Sequence, residues 1–365
     1  MTELESLRAR LDILDGQLLE LAAERAKVVQ SIGRAKQGGG GALFDRTRER
    51  RVLEQARDRS RALGLDPQMG EALLRVLVEG SHARQSDTLQ SDVQRRFCIV
   101  GGGGRMGRLL GQAFEDRGHT VKTLEVGDAL EVGDADVVML AVPMAEQVRM
   151  ARALGPRLPE GVLFCDINSL KQDITHAMHQ GYGGEVLGLH PMFGPTVGTL
   201  RRQKVVLCST RGGPLSRWME RELTSMGLET IVCSASEHDR MMAVVQVLTH
   251  FSTLVMGEAL RRNGVPVDRS LQFTSPIYRL ELAFTGRLFA QSADLYAEIE
   301  MSNPHGPEVR RHFREAADGV SALIETGDRP GFREMFDRIG DFFGGFDEEA
   351  MRLSDLVIDT LVARP

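Results

Sequence analysis

The chain has no paired cysteines. Its four, Cys98, Cys165, Cys208 and Cys233, lie far apart, each in or beside a strand-like apolar run. Without a C-x-x-C spacing, neither a zinc site nor a redox motif is expected, and buried thiols in a reducing compartment are. Nor is there an excess of positive charge. Lys and Arg number 45 against 51 Asp and Glu, for a formal net charge of -6, which speaks against nucleic acid as a partner. The arginine-dense patch Arg46, Arg48, Arg50 and Arg51 is interleaved with Asp45 and Glu49; it suits a solvated helix face or a small anion. No apolar run reaches the roughly 20 residues of a membrane span. The opening MTELESLRARLDILD is charged from the start and lacks the apolar stretch of a signal peptide. The expected setting is the cytoplasm, away from membranes. A length of 365 residues allows two or three domains.

Three patterns follow one another. Leu4, Leu7, Leu11, Leu14, Leu18, Leu21, Val28 and Ile32 fall in steps of three and four, the stripe of a long amphipathic helix. Position 25 should continue it but holds arginine. Gly38 to Gly41 end it, a second helix runs from about Asp45 to Ala62, and a third follows Gly64 and Pro67 to about Gln85. Three helices in residues 1–90 bury little alone, so this piece is expected to dimerise. After a polar linker, SDTLQSDVQR, strand-length apolar runs appear at 97–100, 121–124, 137–142, 162–167, 186–189, 204–208 and 230–232. Helical stretches lie between most of them, the rhythm of an α/β doubly wound parallel sheet over 96–236. Helical periodicity alone fills 237–365. The fold class is thus multidomain: all-α, then Rossmann-type α/β, then all-α, with no internal repeat.

Four features carry chemistry. First, FCIVGGGGRMG breaks an apolar run into Gly102-x-Gly104-x-x-Gly107, and a helix-like stretch follows. The next strand ends in Glu125, placed to bond ribose hydroxyls and to repel a 2′-phosphate, so NAD is favoured over NADP. Gly102, Gly104, Arg105, Met106, Gly107 and Glu125 are the candidate cofactor residues. Second, Ser169 and Lys171 follow the run VLFC; they suit an anionic ligand, or equally an N-cap serine beside a surface lysine. Third, His190 ends a strand in GLHPMFGP, held rigidly by Pro191 and Pro195 as a general base requires. Fourth, Gln246 and His250 share a helix face, and Arg279 and Arg287 follow the turn Ser-Pro-Ile-Tyr. An arginine fork suits a carboxylate, although surface ion pairs explain either arginine as well. His238, His176 and His179 have no such context and are expected at the surface.

In the first helix, eleven steps of 100° put Arg25 and Lys36 about 20° apart, on the apolar face. Two cations aimed into a core need an anionic ligand. Arg8 lies roughly 100° around from Arg25 and is better placed for a partner's pocket. Arg48, Glu49 and Gln85 could complete such a pocket.

These strings resemble the bifunctional chorismate mutase/prephenate dehydrogenase family, the T-proteins of bacterial tyrosine biosynthesis, over essentially the whole length. LRARLDILD, AERAKVVQSIGRAK and DRTRERR resemble the helical mutase. IVGGGGRMG, GLHPMFGP, SEHDRMMAVVQ, SPIYRLELAFTGRLFAQ and LYAEI resemble the dehydrogenase. The resemblance implies a mutase pocket of Arg25, Lys36, Arg48, Glu49, Ser81 and Gln85 with the partner's Arg8, and Asp45 lining the region. Lys36 and Gln85 would donate to the ether oxygen and Glu49 would accept from the ring hydroxyl. It implies His190 as the catalytic histidine and Arg287 on the ring carboxylate, with Ser169, Lys171, His250 and Arg279 nearby. The implied substrates are chorismate and prephenate, the cofactor NAD, the assembly a homodimer, and tyrosine a feedback inhibitor; no metal is implied. An arogenate-preferring dehydrogenase or a ligand sensor with decayed sites are the alternatives. The intact residue types at 8, 25, 36, 49, 85, 190 and 287 speak against decay. Gly38–Gly41 and Ser302-Asn-Pro-His-Gly-Pro307 depart from the family pattern.

Overall fold

The first helix, α1 (Glu3–Gln37), opens on a reciprocal cap. The Glu5 amide donates to Thr2 Oγ1 at 3.3 Å, and the Thr2 amide donates to a Glu5 carboxylate oxygen at 2.7 Å. Two amides that no helical carbonyl can reach are thereby satisfied. This is a computed structural model describing residues 2–37, 46–87, 91–125 and 127–362; the side chains of helical residues 30, 33–37, 46, 47, 49 and 79–87 lie outside that description. Helices α2 (Arg46–Ala62) and α3 (Pro67–Asp87) pack together, and α3 also packs on α1. Gly70 lets α3 approach closely: a Cβ there would sit 1.7 Å from Ser60 Oγ. The Arg25 guanidinium donates to the Leu77 carbonyl at 2.9 Å. The apolar stripe of α1, from Leu4 to Ile32, stays exposed.

The middle of the chain alternates strands and helices: β1 (Arg96–Val100), α4 (Arg105–Asp116), β2 (Thr120–Leu124), β3 (Val137–Leu140), α5 (Met144–Leu154), β4 (Leu163–Asp166), α6 (Gln172–Gly181), β5 (Glu185–Pro191), β6 (Lys204–Arg211), α7 (Pro214–Ser225) and β7 (Glu229–Val232). The sheet order is β2-β1-β3-β4-β5-β6-β7. The β1–β2, β1–β3 and β4–β5 pairs are parallel, with Val100 opposite both Leu124 and Leu140, and Asp166 opposite Gly188. Strand β1 has β2 on one side and β3 on the other, so the winding reverses at its carboxyl end, the usual ligand position in such sheets. β1, β3 and β4 are buried almost throughout and read as continuous apolar runs, as parallel strands covered on both faces must. Each strand foreseen from the sequence is present within three residues at either end.

Helices fill the remainder: α8 (Ala235–Met242), a π-helical turn (Ala243–Leu248), α9 (Thr249–Asn263), α10 (Val267–Leu271), α11 (Pro276–Phe289), α12 (Ala293–Ser302), α13 (Gly306–Glu325), α14 (Arg329–Phe343) and α15 (Phe346–Val362). The continuous stretch Ala235–Asn263 is long and apolar enough, by length and composition alone, to cross a membrane, with mean hydropathy 1.3 over its best window. Gln246, His250 and Glu258 interrupt it, so no unbroken apolar run is visible in the sequence. It also carries buried polar side chains, His238 and Asp239.

By contacts the chain divides into two units. One comprises Met1–Ala141, Pro191–Val205 and Gly213–Ile231; the other comprises Val142–His190, Val206–Gly212 and Val232–Pro365. In the first, Phe97, Phe114, His119 and Trp218 form a ring cluster beneath α4, with Phe97 and Phe114 stacked at 4.2 Å.

Candidate active sites

In the first unit the chain leaves β1 through four glycines. Gly101 has φ +83°, a left-handed value that favours glycine. Its amide donates to the Leu124 carbonyl at 2.6 Å. α4 then starts at Arg105 with Gly104 as its cap and no side chain on its free amides. Such a helix start offers bare N–H groups and positive dipole to a phosphate. Gly107 sits so close to the loop that a Cβ would lie 2.8 Å from both Gly101 O and Gly102 Cα. Glu125, just past β2, accepts from the Gly103 amide at 2.7 Å, and a Cβ on Gly103 would strike that carboxylate. The cradle and its acid therefore fit a dinucleotide: backbone for the pyrophosphate, carboxylate for a ribose.

In the second unit a chain of polar groups is buried around β5. His190, 3% exposed, lies near the end of β5. Its Nδ1 is 2.8 Å from His238 Nε2, and its Nε2 is 3.4 Å from the side-chain nitrogen of Gln246 on the π-helical turn. His238 Nδ1 is 2.7 Å from Asp239 Oδ1. Asp239 also accepts from the Lys171 amide at 2.8 Å and the Gln172 amide at 3.0 Å. A sequence cap sets this up: Ser234 Oγ accepts from the Glu237 amide at 3.1 Å and starts α8 so that His238 and Asp239 fall in its second turn. Burial raises the Asp239 carboxyl, but the bonds from His238, Gln172 and Lys171 outweigh it and hold the group below its usual range. His190 is pushed well below the usual histidine range, first by burial and then by the charges of His238 and Lys171.

Two expectations are corrected here. His238 is not a surface residue; it is 1% exposed and bonded to the very histidine singled out as the base. Lys171 does not face a ligand. It is 0% exposed, and its ammonium is bound to Asp166. A buried ammonium requires an anion, and the spacing of five residues across the β4–α6 turn supplies one. Gly188 on β5 makes the room: a Cβ there would press on Lys171 at 2.9 Å and on Thr175 at 2.7 Å. Burial raises the Asp166 carboxyl despite Lys171 beside it.

Elsewhere in the same unit, α11 starts with Ser275 capping the Tyr278 amide at 3.2 Å, with Pro276 in the first turn. Arg287 lies near its end, close enough for its charge to act on the Tyr296 phenol. Tyr296 accepts from Gln291 at 2.9 Å and packs edge-on to His250, with ring centroids 4.8 Å apart. His250 Nδ1 is buried with no hydrogen-bond partner among the described residues. His250, Tyr296, Gln291 and Arg287 thus gather, while Arg279 is exposed about 12 Å back along α11. Ser169 is half-buried, its amide donating to Asn168 Oδ1 at 2.7 Å.

Among the helices α1–α3, Arg8 and Arg48 are exposed and Arg25 is half-buried. The side chains of Lys36, Glu49, Ser81 and Gln85 lie outside the described residues, as does the whole of Asp45.

A dinucleotide cradle at the switch point of a parallel sheet in one unit, and a buried imidazole near a strand's end in the other, are features of the nucleotide-dependent dehydrogenases. Comparison with known proteins gives the particular family. Residues 7–86 match chorismate mutase type II, residues 114–218 the prephenate dehydrogenase nucleotide-binding domain, and residues 234–338 the prephenate dehydrogenase dimerization domain. The T-protein of Enterobacter agglomerans is 37% identical over 353 residues, 94% of either chain. That of Haemophilus influenzae is 32% identical over 363 residues, 97% of this chain and 96% of its own. The chain belongs to the T-protein family and joins a chorismate mutase to a prephenate dehydrogenase for tyrosine biosynthesis. The fold is shared with the prephenate dehydrogenase from A. aeolicus, solved in complex with hydroxyphenyl propionate and NAD+ (TM-score 0.57, 18% identity, 72% of this chain and 100% of that one). Synechocystis arogenate dehydrogenase is similar (TM-score 0.54, 17% identity, 70% and 99%).

Proposed function

We propose that His190 is the base of the dehydrogenase and that the mutase works from a separate pocket on α1–α3. The place of His190, buried near the end of β5 with Nδ1 bonded to His238, carries the reading. A base must hold a free lone pair at working pH, and burial beside Lys171 keeps this imidazole uncharged. His190 Nε2 accepts the proton of the prephenate ring hydroxyl. Arg287 pairs with the ring carboxylate, with Arg279, His250 and Ser169 nearby; Lys171 acts from beneath by fixing Asp166. The cofactor is NAD, held by Gly102, Gly104, Arg105, Met106 and Gly107, with Glu125 on its ribose and against a 2′-phosphate. When bound, its nicotinamide supplies the hydride acceptor. The products are 4-hydroxyphenylpyruvate, carbon dioxide and NADH.

In the mutase, Arg25, Arg48 and the partner's Arg8 grip the chorismate dianion in its reactive conformer. Lys36 and Gln85 stabilise charge on the ether oxygen, Glu49 accepts from the ring hydroxyl, and Ser81 and Asp45 line the pocket. We assign the mutase to 1–90, the nucleotide domain to 96–236 and the last helical domain to 237–365. We place the enzyme in the cytoplasm as a homodimer, with tyrosine as its feedback inhibitor.

The test is His190→Asn in the full chain. Dehydrogenase kcat should fall by roughly 10²–10⁴-fold, the usual worth of a general base, while mutase turnover stays near normal. Near-normal dehydrogenase turnover removes His190 from the role.

A further inference from the structure

Two imidazoles in series, ending on a fixed carboxylate, form a directed chain. Asp239 accepts three hydrogen bonds, two of them from the backbone amides of Lys171 and Gln172, so it is an anion locked in place. An ionised carboxylate only accepts, so His238 Nδ1 carries a hydrogen toward it. Neutral His238 then offers a lone pair at Nε2, and His190 Nδ1 must donate into it across 2.8 Å. His190 Nε2 is left as the free lone pair, with the Gln246 amide nitrogen 3.4 Å away. With His238 neutral, the hydrogen-bond directions set both tautomers.

We propose that His238 holds the positive charge during oxidation, and that His190 takes the substrate's proton on one nitrogen while passing its own on from the other. The inference rests on the reading of His190 as the base and extends it by one residue. Stoichiometry demands such a place. Prephenate carries two negative charges and NAD one positive on its nicotinamide. The products are a monoanion, carbon dioxide and NADH, so no proton is released. The hydroxyl proton is borrowed and returned. His190 is a poor holder: it is 3% exposed, and the charge near it is the Lys171 ammonium, partnered by Asp166. His238 is hydrogen-bonded at 2.7 Å to the fixed Asp239 carboxylate, whereas the hydrogen-bond partners of His190 among the described residues are His238 and Gln246.

In the step, the hydroxyl oxygen gives its proton to His190 Nε2, and His190 passes its Nδ1 proton to His238 Nε2. His238 is now imidazolium against Asp239, and His190 is neutral with its hydrogen on Nε2. As the substrate gives up its C4 hydride, the C1–carboxylate bond breaks and its electron pair enters the ring. Carbon dioxide leaves, and the oxygen is that of a phenolate. The protons then run back, His238 to His190 and His190 to the phenolate oxygen. Both imidazoles regain their first tautomers. His238 is a positioning residue for His190 throughout; it touches no reacting atom.

The test is His238→Gln in the full chain. Glutamine still offers an oxygen to His190 Nδ1 but cannot take a proton. The expected result is a dehydrogenase kcat lower by about 10- to 100-fold, with the prephenate and NAD KM values within about twofold and mutase turnover unchanged. The acid limb of the kcat–pH profile should also move to lower pH. In the native chain two imidazoles in series stand behind that limb. In the variant only His190 titrates, and burial and Lys171 disfavour its charge. An unchanged kcat and limb, with mutase intact, overturns the relay. His190→Asn separates the two readings: if it lowers kcat as expected while His238→Gln leaves kcat and the acid limb unchanged, only the relay falls. Should His238→Gln fail to fold, the native enzyme decides. Its kcat in mixtures of light and heavy water should curve downward with deuterium fraction, because two protons move together; a linear dependence, or none, overturns the relay.

Discussion

Glu222, on α7, is buried and accepts from Arg117 Nε at 2.7 Å and from Ser91 Oγ at 2.9 Å, with His119 Nε2 3.3 Å away. Burial would raise its pKa, but the bonds from His119, Arg117 and Ser91 hold the carboxyl down at about 2. A depressed folded-state pKa stabilises the fold above the unfolded value and loses that contribution as pH falls toward 2. Glu222→Gln leaves Arg117 buried without its anion, a cost of about 3 kcal/mol. The chain has a single tryptophan, Trp218, whose ring lies 5.4 Å from that of His119, so its fluorescence reports melting of this cluster. The variant should melt well below the native chain at pH 7, and the gap should shrink between about pH 4.5 and pH 2. A gap independent of pH means that the carboxylate charge is not what Arg117 needs. The same scale shows where sequence reading stops. His190 was legible because a strand and two prolines bracket it. His238 was not: its burial comes from a strand 48 residues earlier in the chain, and nothing in SEHDRMM alone separates a surface histidine from a buried one. The burial of Lys171 is not legible either, because nothing in the residues between them marks Asp166, five positions earlier, as its buried partner.

At the scale of elements, the Rossmann-type half was legible almost strand by strand. Buried parallel strands must be apolar throughout, and glycines must stand where the turn needs them. The π-helical turn was not legible. One extra residue in a helical ring leaves no trace in a 3.6-residue period, yet it carries Gln246, whose side chain meets His190. The glycine loop yields a prediction of its own. A Cβ on Gly107 meets backbone atoms of Gly101 and Gly102, which cannot rotate aside as a side chain can. Gly107→Ala must therefore push the loop away from α4 and spoil the pyrophosphate cradle. The KM for NAD should rise by about tenfold or more. Mutase turnover should hold, since α1–α3 carry it. An unchanged KM for NAD shows that the loop yields without loss and that the close approach is not functional.

For the whole molecule, the geometry of α1 decides how the mutase must be assembled. Arg8 and Arg25 are seventeen residues apart on one helix, which at 1.5 Å per residue is about 25 Å along the axis, and they differ by roughly 100° around it. A dianion the size of chorismate cannot touch both from a single copy. The leucines between them are exposed in the isolated chain, Leu11 by 60% and Leu21 by 63%. A 35-residue helix with an uncovered apolar face needs a partner, and a second α1 packed antiparallel would carry its Arg8 to the Arg25–Lys36 end. On that arrangement each mutase pocket would be shared, and the activity would belong to the dimer. Complementation tests this. Arg8→Ala and Lys36→Ala should each be nearly inactive as mutases while retaining dehydrogenase turnover. Mixed and allowed to exchange chains, they form heterodimers in which one pocket carries both lesions and the other carries neither. If half the dimers are mixed and each has one intact pocket of two, about a quarter of native mutase activity should return. If chain exchange is demonstrated with labelled protein and no activity returns, each pocket is built within one chain.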